Sequence, residues 1–333
     1  MNILHIPYGP AMIDLCLALR LKGINADSCH FYSNRYQFRP DYCLNLQNIS
    51  VNLREEKIKN YLEEAIKKYD IFHFHFGETF LPDKSDLEIL KNAGKKMVAH
   101  HHGSEVRMLS LAKNLNKYVR VKPEWSEEKI HNNLLKLSSY IDHAFVQDHE
   151  LEHYVKGYYK NVHVIPHSID IKKFKPNFPK EKNSPLIVHA PTLRDLKGTE
   201  YIIDAVNKLK KAGTPLNFQL IEGKTYSQTK ELLSQADIVI DQLRIGAYGY
   251  VSTESMALGK PVICYIREDL VKKYPSELPI INANPDNIAP ILQNLINQPE
   301  NWSKLGMLGR RYVKQYHSTH KIAEHYIKVY NNL

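Results

Sequence analysis

Apolar residues fall into two patterns that alternate along almost the whole chain. Short continuous runs at 2–6, 70–76, 96–100, 143–146 and 162–165 read as strands. Between them, apolar positions three and four apart predict helices at 10–21, 55–68, 84–92 and 127–138. In the first of these, Ile13, Leu17 and Leu21 make one stripe and Gly23 supplies a stop. A proline- and lysine-rich stretch near 166–184 interrupts the alternation, which then restarts. Strands are predicted at 186–190, 215–221, 237–241 and 261–265, and helices at 198–211, 228–234 and 252–258. Helical patterns at 287–296, 302–316 and 320–330 close the chain. Strand–helix alternation on both sides of a linker predicts an α/β protein with two similar units, each a parallel sheet wrapped by helices.

The length of 333 residues suits two domains, and a 43% apolar fraction is enough to build their cores. No run approaches the ~18 apolar residues of a spanning helix. No basic leader precedes the first apolar stretch, so no secretory signal is expected. Cys16, Cys29, Cys43 and Cys264 show no CxxC spacing and read as reduced cytosolic thiols, not as a disulfide frame or zinc site. The formal charge of +9 is uneven: 22 Lys+Arg face 20 Asp+Glu before residue 169, and the excess lies after it. Positive charge suits nucleic acid, an acidic membrane or a phosphorylated ligand. No zinc finger or RNP-like motif favours nucleic acid. Histidine is skewed the other way, with 13 of 17 before residue 169.

Four segments carry candidate chemistry. In RIGAYGYVSTESMALGKPV, Gly246 and Gly249 bracket a loop whose amides can approach a ligand closely. Ser252 and Thr253 are expected to cap the following helix, with Glu254 in its first turn. Such a junction binds anions, and a carboxylate there can take both hydroxyls of a ribose; a structural capping acid fits the same pattern. In HAPTLRDLKGTE, Arg194 and Lys197 sit between a strand and a helix, where they suit a diphosphate or an ordinary solvated loop. In KMVAHHHGSEVR, three histidines end a strand, the edge at which open α/β sheets bind ligands. His102 could donate, accept or, protonated, face a phosphate. Metal binding shared with His73 and His75 on a neighbouring strand is an alternative, but adjacent strand residues point to opposite faces, so the triplet cannot all ligate one ion, and no metal is expected. In IPYGPAMID, the backbone near Gly9 could meet a ligand, but this is not the GxGxxG of a dinucleotide enzyme.

In this order, the motifs resemble those of the family 4 glycosyltransferases with the GT-B fold. HHGSEVR is similar to that family's HGSD, VIPHSID to its VIPNGVD, TLRDLKG to its basic loop, and GAYGYVSTESMALGKPV to its EGFGxxxxEAMAxGxPV. The resemblance implies two Rossmann-like domains whose parallel sheets face across a cleft: 1–168 on the acceptor side, 169–316 for the nucleotide sugar, and a helix at about 317–333 packing back on the first. It implies transfer of a sugar, from a UDP-sugar by preference, to a carbohydrate or lipid-linked hydroxyl, with retention and without metal or other cofactor. His102, Lys197 and Glu254 would be catalytic. Gly9, Arg194, Lys197, Gly246, Tyr248, Gly249, Ser252, Thr253 and Glu254 would hold the donor, with the turn at 223–227 near the base. Two departures stand out: the family's first glutamate falls on Gly246, with Asp241 as a substitute acid, and Arg194 is closer to Lys197 than the basic loop usually has it.

The implied setting is cell-surface polysaccharide or glycolipid synthesis in the cytoplasm, at the inner face of the membrane. Residues 107–122, from Arg107 to Lys122, hold five basic residues and no acid. Met108, Leu111, Leu115 and Val119 recur at helical spacing. A basic amphipathic helix here could lie on anionic lipid, or the stripe could pack inward. Gly246 in place of the acid also fits a non-catalytic GT-B protein that binds a nucleotide sugar and partners another transferase. A sugar-nucleotide epimerase is a further option within the fold.

Overall fold

The computed structural model describes residues 1–33 and 37–333. The chain forms two compact units: Met1–Met108 with Pro123–Ser168 and Thr319–Leu333, and Leu109–Lys122 with Ile169–Ser318. The sequence boundary had kept 109–122 with the first unit.

The first unit is built on a seven-stranded sheet: β1 (Asn2–Ile6), β2 (Asn25–His30), β3 (Tyr42–Cys43), β4 (Ile71–His75), β5 (Lys96–His101), β6 (His143–Val146) and β7 (Asn161–Val164). All its ladders are parallel, in the order β3-β2-β1-β4-β5-β6-β7. The order reverses between β1 and β4, and a crevice opens at such a switch beyond the carboxyl ends of the strands. β4 reads IFHFH and all five residues are buried. Phe72 and Phe74 pack against Phe80 on one face. Ile71, His73 and His75 face the other way, by the two-residue period of a strand. That second face carries Ile3, Val98 and Phe145 and is covered by the helix Thr319–Tyr330, whose Ile322, Tyr326 and Tyr330 recur every four residues. β2 was not predicted. Its NADSCH has too few apolar residues to show a period, and it exists because β1 supplies its ladder.

The second unit has five parallel strands: β8 (Leu186–His189), β9 (Asn217–Leu220), β10 (Ile238–Ile240), β11 (Val262–Cys264) and β12 (Ile281–Asn282), in the order β12-β11-β10-β8-β9. Here the switch lies between β8 and β10. The helix Thr199–Lys211 buries Ile202, Val206 and Leu209 against the sheet.

The amphipathic helix expected over 107–122 is cut short: only Leu109–Leu115 is helical. Arg107 is buried in a two-pronged ion pair with Glu150, 2.8 and 2.6 Å. Met108 and Val119 are buried, while Leu111 and Leu115 are exposed. Lys117 pairs with Asp286 at 2.8 Å, and Arg120 lies 3.9 Å from Asp195. The stripe is therefore divided between core and surface, and Arg107, Lys117 and Arg120 each have an acidic partner. Among the described residues no helix is long and apolar enough to cross a membrane.

Candidate functional site

In the second unit, two chain segments leave the switch point and turn towards each other. After β8 comes the short helix Arg194–Lys197, closed by Gly198 in the left-handed region. After β10 come Asp241 and Gln242, then the loop to Gly249 and the helix Tyr250–Ala257. The Lys197 ammonium donates to Asp241 Oδ1 at 3.2 Å and to Gln242 Oε1 at 2.5 Å. Asp241 Oδ2 accepts from the Ser252 hydroxyl at 2.7 Å and the Gly249 amide at 3.3 Å. Burial alone would raise the Asp241 pKa. Lys197, Ser252 and the Gly249 amide outweigh it and hold the carboxyl below its ordinary value. A cation, a hydroxyl and a helix-terminal amide thus converge on one buried carboxylate.

The helix begins earlier than expected. Gly249 is its N-cap, without a side-chain cap, so Ser252 and Thr253 lie inside the first turn and do not cap it. Thr253 donates back to the carbonyls of Gly249 and Tyr250, at 3.1 and 3.0 Å. Glu254 falls in the second turn, nearly buried, and accepts from the Tyr226 hydroxyl at 2.8 Å. Tyr226 is placed by a capping box at the start of its own helix: Thr225 and Gln228 bond each other's backbone amides. The turn at 223–227 is thereby tied to Glu254, a link the sequence did not show.

The other expected donor residues are placed differently. Arg194 makes a forked bond to Glu222, 2.9 and 2.6 Å, and a longer one to Glu200, so it does not share a partner with Lys197. Tyr248 is turned into the core, its hydroxyl 3.0 Å from His317 Nε2 and 3.2 Å from the Tyr312 hydroxyl. It anchors the loop from behind. Gly246 has φ +88°, and a Cβ built there would lie 2.3 Å from Arg267 Cγ. The place where the family pattern has a carboxylate is filled by Arg267, which is buried and forked onto Asp269 at 2.9 and 2.8 Å. Arg267 was not singled out from sequence. Its signal, a glycine at a position where the pattern has an acid, pointed to a missing group and not to its replacement. Arg244, also overlooked, holds the loop through an ion pair with Asp195 and a 3.1 Å bond to the Tyr201 hydroxyl.

In the first unit, Gly9, Phe76 and His102 follow β1, β4 and β5 at the carboxyl edge. Gly9 has φ +141°, and its missing side chain leaves room for the Phe76 ring, 3.1 Å from a built Cβ. The Glu105 carboxylate accepts from the amides of His102 and Gly103 at 2.5 and 2.9 Å, and burial raises its pKa. The His102 ring is stacked between Phe76 and His100, centroids 4.1 and 4.3 Å away, and its Nε2 is 2.9 Å from His75 Nδ1. Burial, with His100 and His101 nearby, pushes its pKa well below the ordinary value. Of the roles open to His102, this lowering favours those of the neutral ring, donating or accepting, over a protonated ring facing a phosphate.

The triplet splits as strand geometry requires. His101 turns to the far face, 2.9 Å from the Tyr159 hydroxyl, while His100 and His102 join His5, His73 and His75 on the near one. Two overlapping sets, His5/His73/His75 and His75/His100/His102, bring ring nitrogens within 4.8 Å of one another. Several of these rings are stacked, with planes 15° to 26° apart. An imidazole ligates in its own plane, so stacked rings do not aim at a common ion. Two of the ring contacts are hydrogen bonds, His5 to His75 at 3.0 Å and His75 to His102 at 2.9 Å.

No family model and no curated protein sequence matches this chain. Solved structures do match in fold. HepE of Anabaena, in complex with UDP-glucose, superposes with a TM-score of 0.67 at 13% identity over 100% of both chains. Sucrose-phosphate synthase of Thermosynechococcus elongatus gives 0.66 at 14%, over 100% of this chain and 99% of that one. UDP-GlcNAc 2-epimerase of Neisseria meningitidis, bound to UDP-GlcNAc, gives 0.58 at 15% over 100% of both. The chain has the two-sheet α/β architecture of the GT-B proteins.

Proposed function

We propose that this chain is a glycosyltransferase that moves a sugar from a nucleotide-sugar donor, a UDP-sugar by preference, to a hydroxyl of a carbohydrate or lipid-linked acceptor. The observation that carries this reading is the Lys197 ammonium held beside the N-terminus of the helix Tyr250–Ala257. Cation and helix amides together suit the diphosphate that departs in the reaction, and its stabilisation lowers the barrier most. Asp241 keeps that cation and the Gly249 amide aligned until the donor arrives. Glu254, oriented by Tyr226, accepts the ribose hydroxyls. Thr253 and Ser252 steady the first helical turn, and Arg194, now forked to Glu222, is the second cation for the diphosphate. On the first unit, His102 donates a hydrogen bond to a donor oxygen and Gly9 admits the phosphate side of the donor.

The acceptor attacks from the face the diphosphate leaves, so configuration is retained, and Lys197 with the helix amides neutralises charge that a metal would otherwise carry. Cell-surface polysaccharide or glycolipid synthesis is the setting we favour. Recovery of the chain with floated anionic liposomes, and not with neutral ones, is the expected mark of a membrane-borne acceptor.

The similarity to HepE with UDP-glucose supports the donor class, and the epimerase similarity favours a second reading, isomerisation of the donor itself. A product analysis separates them: transfer yields free UDP and a glycosylated acceptor, whereas epimerisation yields an altered nucleotide sugar without acceptor. Binding without either product marks the non-catalytic partner. Lys197→Ala and Glu254→Ala are each expected to lower transfer about a hundredfold while staying folded, Lys197→Ala melting lower because it leaves the buried Asp241 carboxylate without its cation. Full activity in both would overturn the site.

A further inference from the structure

One face of the first unit's sheet is lined with imidazoles. β1 gives His5, β4 gives His73 and His75, and β5 gives His100, with His102 just beyond its end. His5 lies opposite His73 in the ladder, and His75 opposite His100. Three of these rings form a continuous chain: His5 Nδ1 is 3.0 Å from His75 Nε2, and His75 Nδ1 is 2.9 Å from His102 Nε2. His5 and His75 have no exposed surface. Burial keeps both neutral, as it does His102.

A neutral imidazole carries one N–H and one lone pair. Two hydrogen bonds through three such rings allow only two proton arrangements, with every N–H pointing towards His102 or every N–H pointing away. His5 Nε2, at the inner end, is buried without a partner among the described residues. Pointing away would leave an N–H stranded there, and orphaned buried N–H groups are the rarer defect. The protons therefore point outward: His5 Nδ1–H donates to His75 Nε2, and His75 Nδ1–H donates to His102 Nε2. The remaining nitrogen of His102, Nδ1, must then carry its proton.

We infer that His5 and His75 are positioning residues that lock His102 as the neutral Nδ1–H tautomer, so that it can donate to a ligand oxygen and cannot accept a proton there. The inference rests on the reading of His102 as a donor-sugar or phosphate contact, and it adds two buried residues that the motif HHGSEVR does not contain. With Phe76 and His100 on its two faces, the ring is fixed in orientation as well as in protonation.

The test is nitrogen NMR of the full chain labelled with ¹⁵N-histidine, assigned with His102→Gln. His102 is expected to show a protonated Nδ1 and a lone-pair Nε2, and couplings across the hydrogen bonds should join His5 to His75 and His75 to His102. In His75→Leu the His102 signals should become those of a tautomer mixture, and kcat should fall about tenfold, the worth of one good hydrogen bond, with KM nearly unchanged. In His75→Asn, whose amide nitrogen replaces Nδ1 as donor, the single tautomer and most of kcat should return. A wild-type His102 protonated at Nε2, or a tautomer unchanged in His75→Leu, overturns the inference. If His75→Leu does not fold, the wild-type couplings decide alone: their presence supports the chain and their absence overturns it. If the chain transfers no sugar at all, the proposed function fails while the tautomer result still judges this one.

Discussion

At the scale of single residues, the second-unit site turns on what each charge is paired with. Asp241 was expected as a substitute for the missing family acid, and its oxygens are in use: one on Lys197, the other on Ser252 and Gly249. Asp241→Asn keeps the shape but removes the charge opposite Lys197. A loss of about 1–3 kcal/mol in urea unfolding is expected, the range for breaking a buried charged hydrogen bond. Gly246 is constrained just as closely. Gly246→Ala places a methyl against the buried Arg267 stem at a positive φ, and should cost about 1–3 kcal/mol by the same measurement. If Gly246→Glu proved as stable as the wild type, the steric account of the missing acid would be wrong. The glycine was readable in the sequence as a departure from the motif. Arg267, 21 positions later, was not, because its contact with Gly246 exists only once β11 lies beside β10.

At the scale of elements, the strongest periodic segments were legible and the weakest were not. DIFHFHF and KMVAH announce their strands because nearly every position is apolar or histidine. NADSCH conceals a strand between β1 and β3, and the stripe at 107–119 imitates a long helix that the backbone abandons at Leu115. Of the candidate site, the Gly249–Glu254 junction and Lys197 were visible as motifs. Tyr226 and the His5–His75 connection were not, since each joins residues on different elements.

The histidine sheet also has a consequence for acid stability. His5 is pushed down to about 3, and His73, His75, His100 and His102 are well below their usual value, chiefly by burial. Unfolded, each returns to near 6.5. Below that pH the unfolded chain binds more protons, so stability is full above pH ~6.5 and falls towards pH 3. Each such histidine contributes a slope on the order of 1.4 kcal/mol per pH unit over that window. Hydrogen exchange should show β1, β4 and β5 losing protection between pH 6.5 and 5 while β8 and β10 lose less, and equal loss in both sheets would contradict this. His189, at the end of β8 and lowered to about 4, gives the second unit one such group, where the first has six, His101 being pushed down to about 3 as well.

At the scale of the molecule, each unit places its candidate groups where its own strand order reverses. The first does so after β1, β4 and β5, the second after β8 and β10. The charge excess lies after residue 169, in the part of the chain that holds Lys197 and the helix Tyr250–Ala257. Chain order alone does not define the units, since Thr319–Leu333 returns to cover the first sheet. Removing that helix should expose Phe145, Val98 and the histidine face, and should abolish protection in the first sheet. The central claim is that a nucleotide-sugar diphosphate is held by Lys197 in the second unit. Calorimetric titration of a UDP-sugar into the wild type, Lys197→Ala and the exposed-helix control Lys210→Ala tests it most directly. The account predicts binding by the wild type and the control, and at least tenfold weaker binding by Lys197→Ala. Equal affinity in all three chains would contradict it.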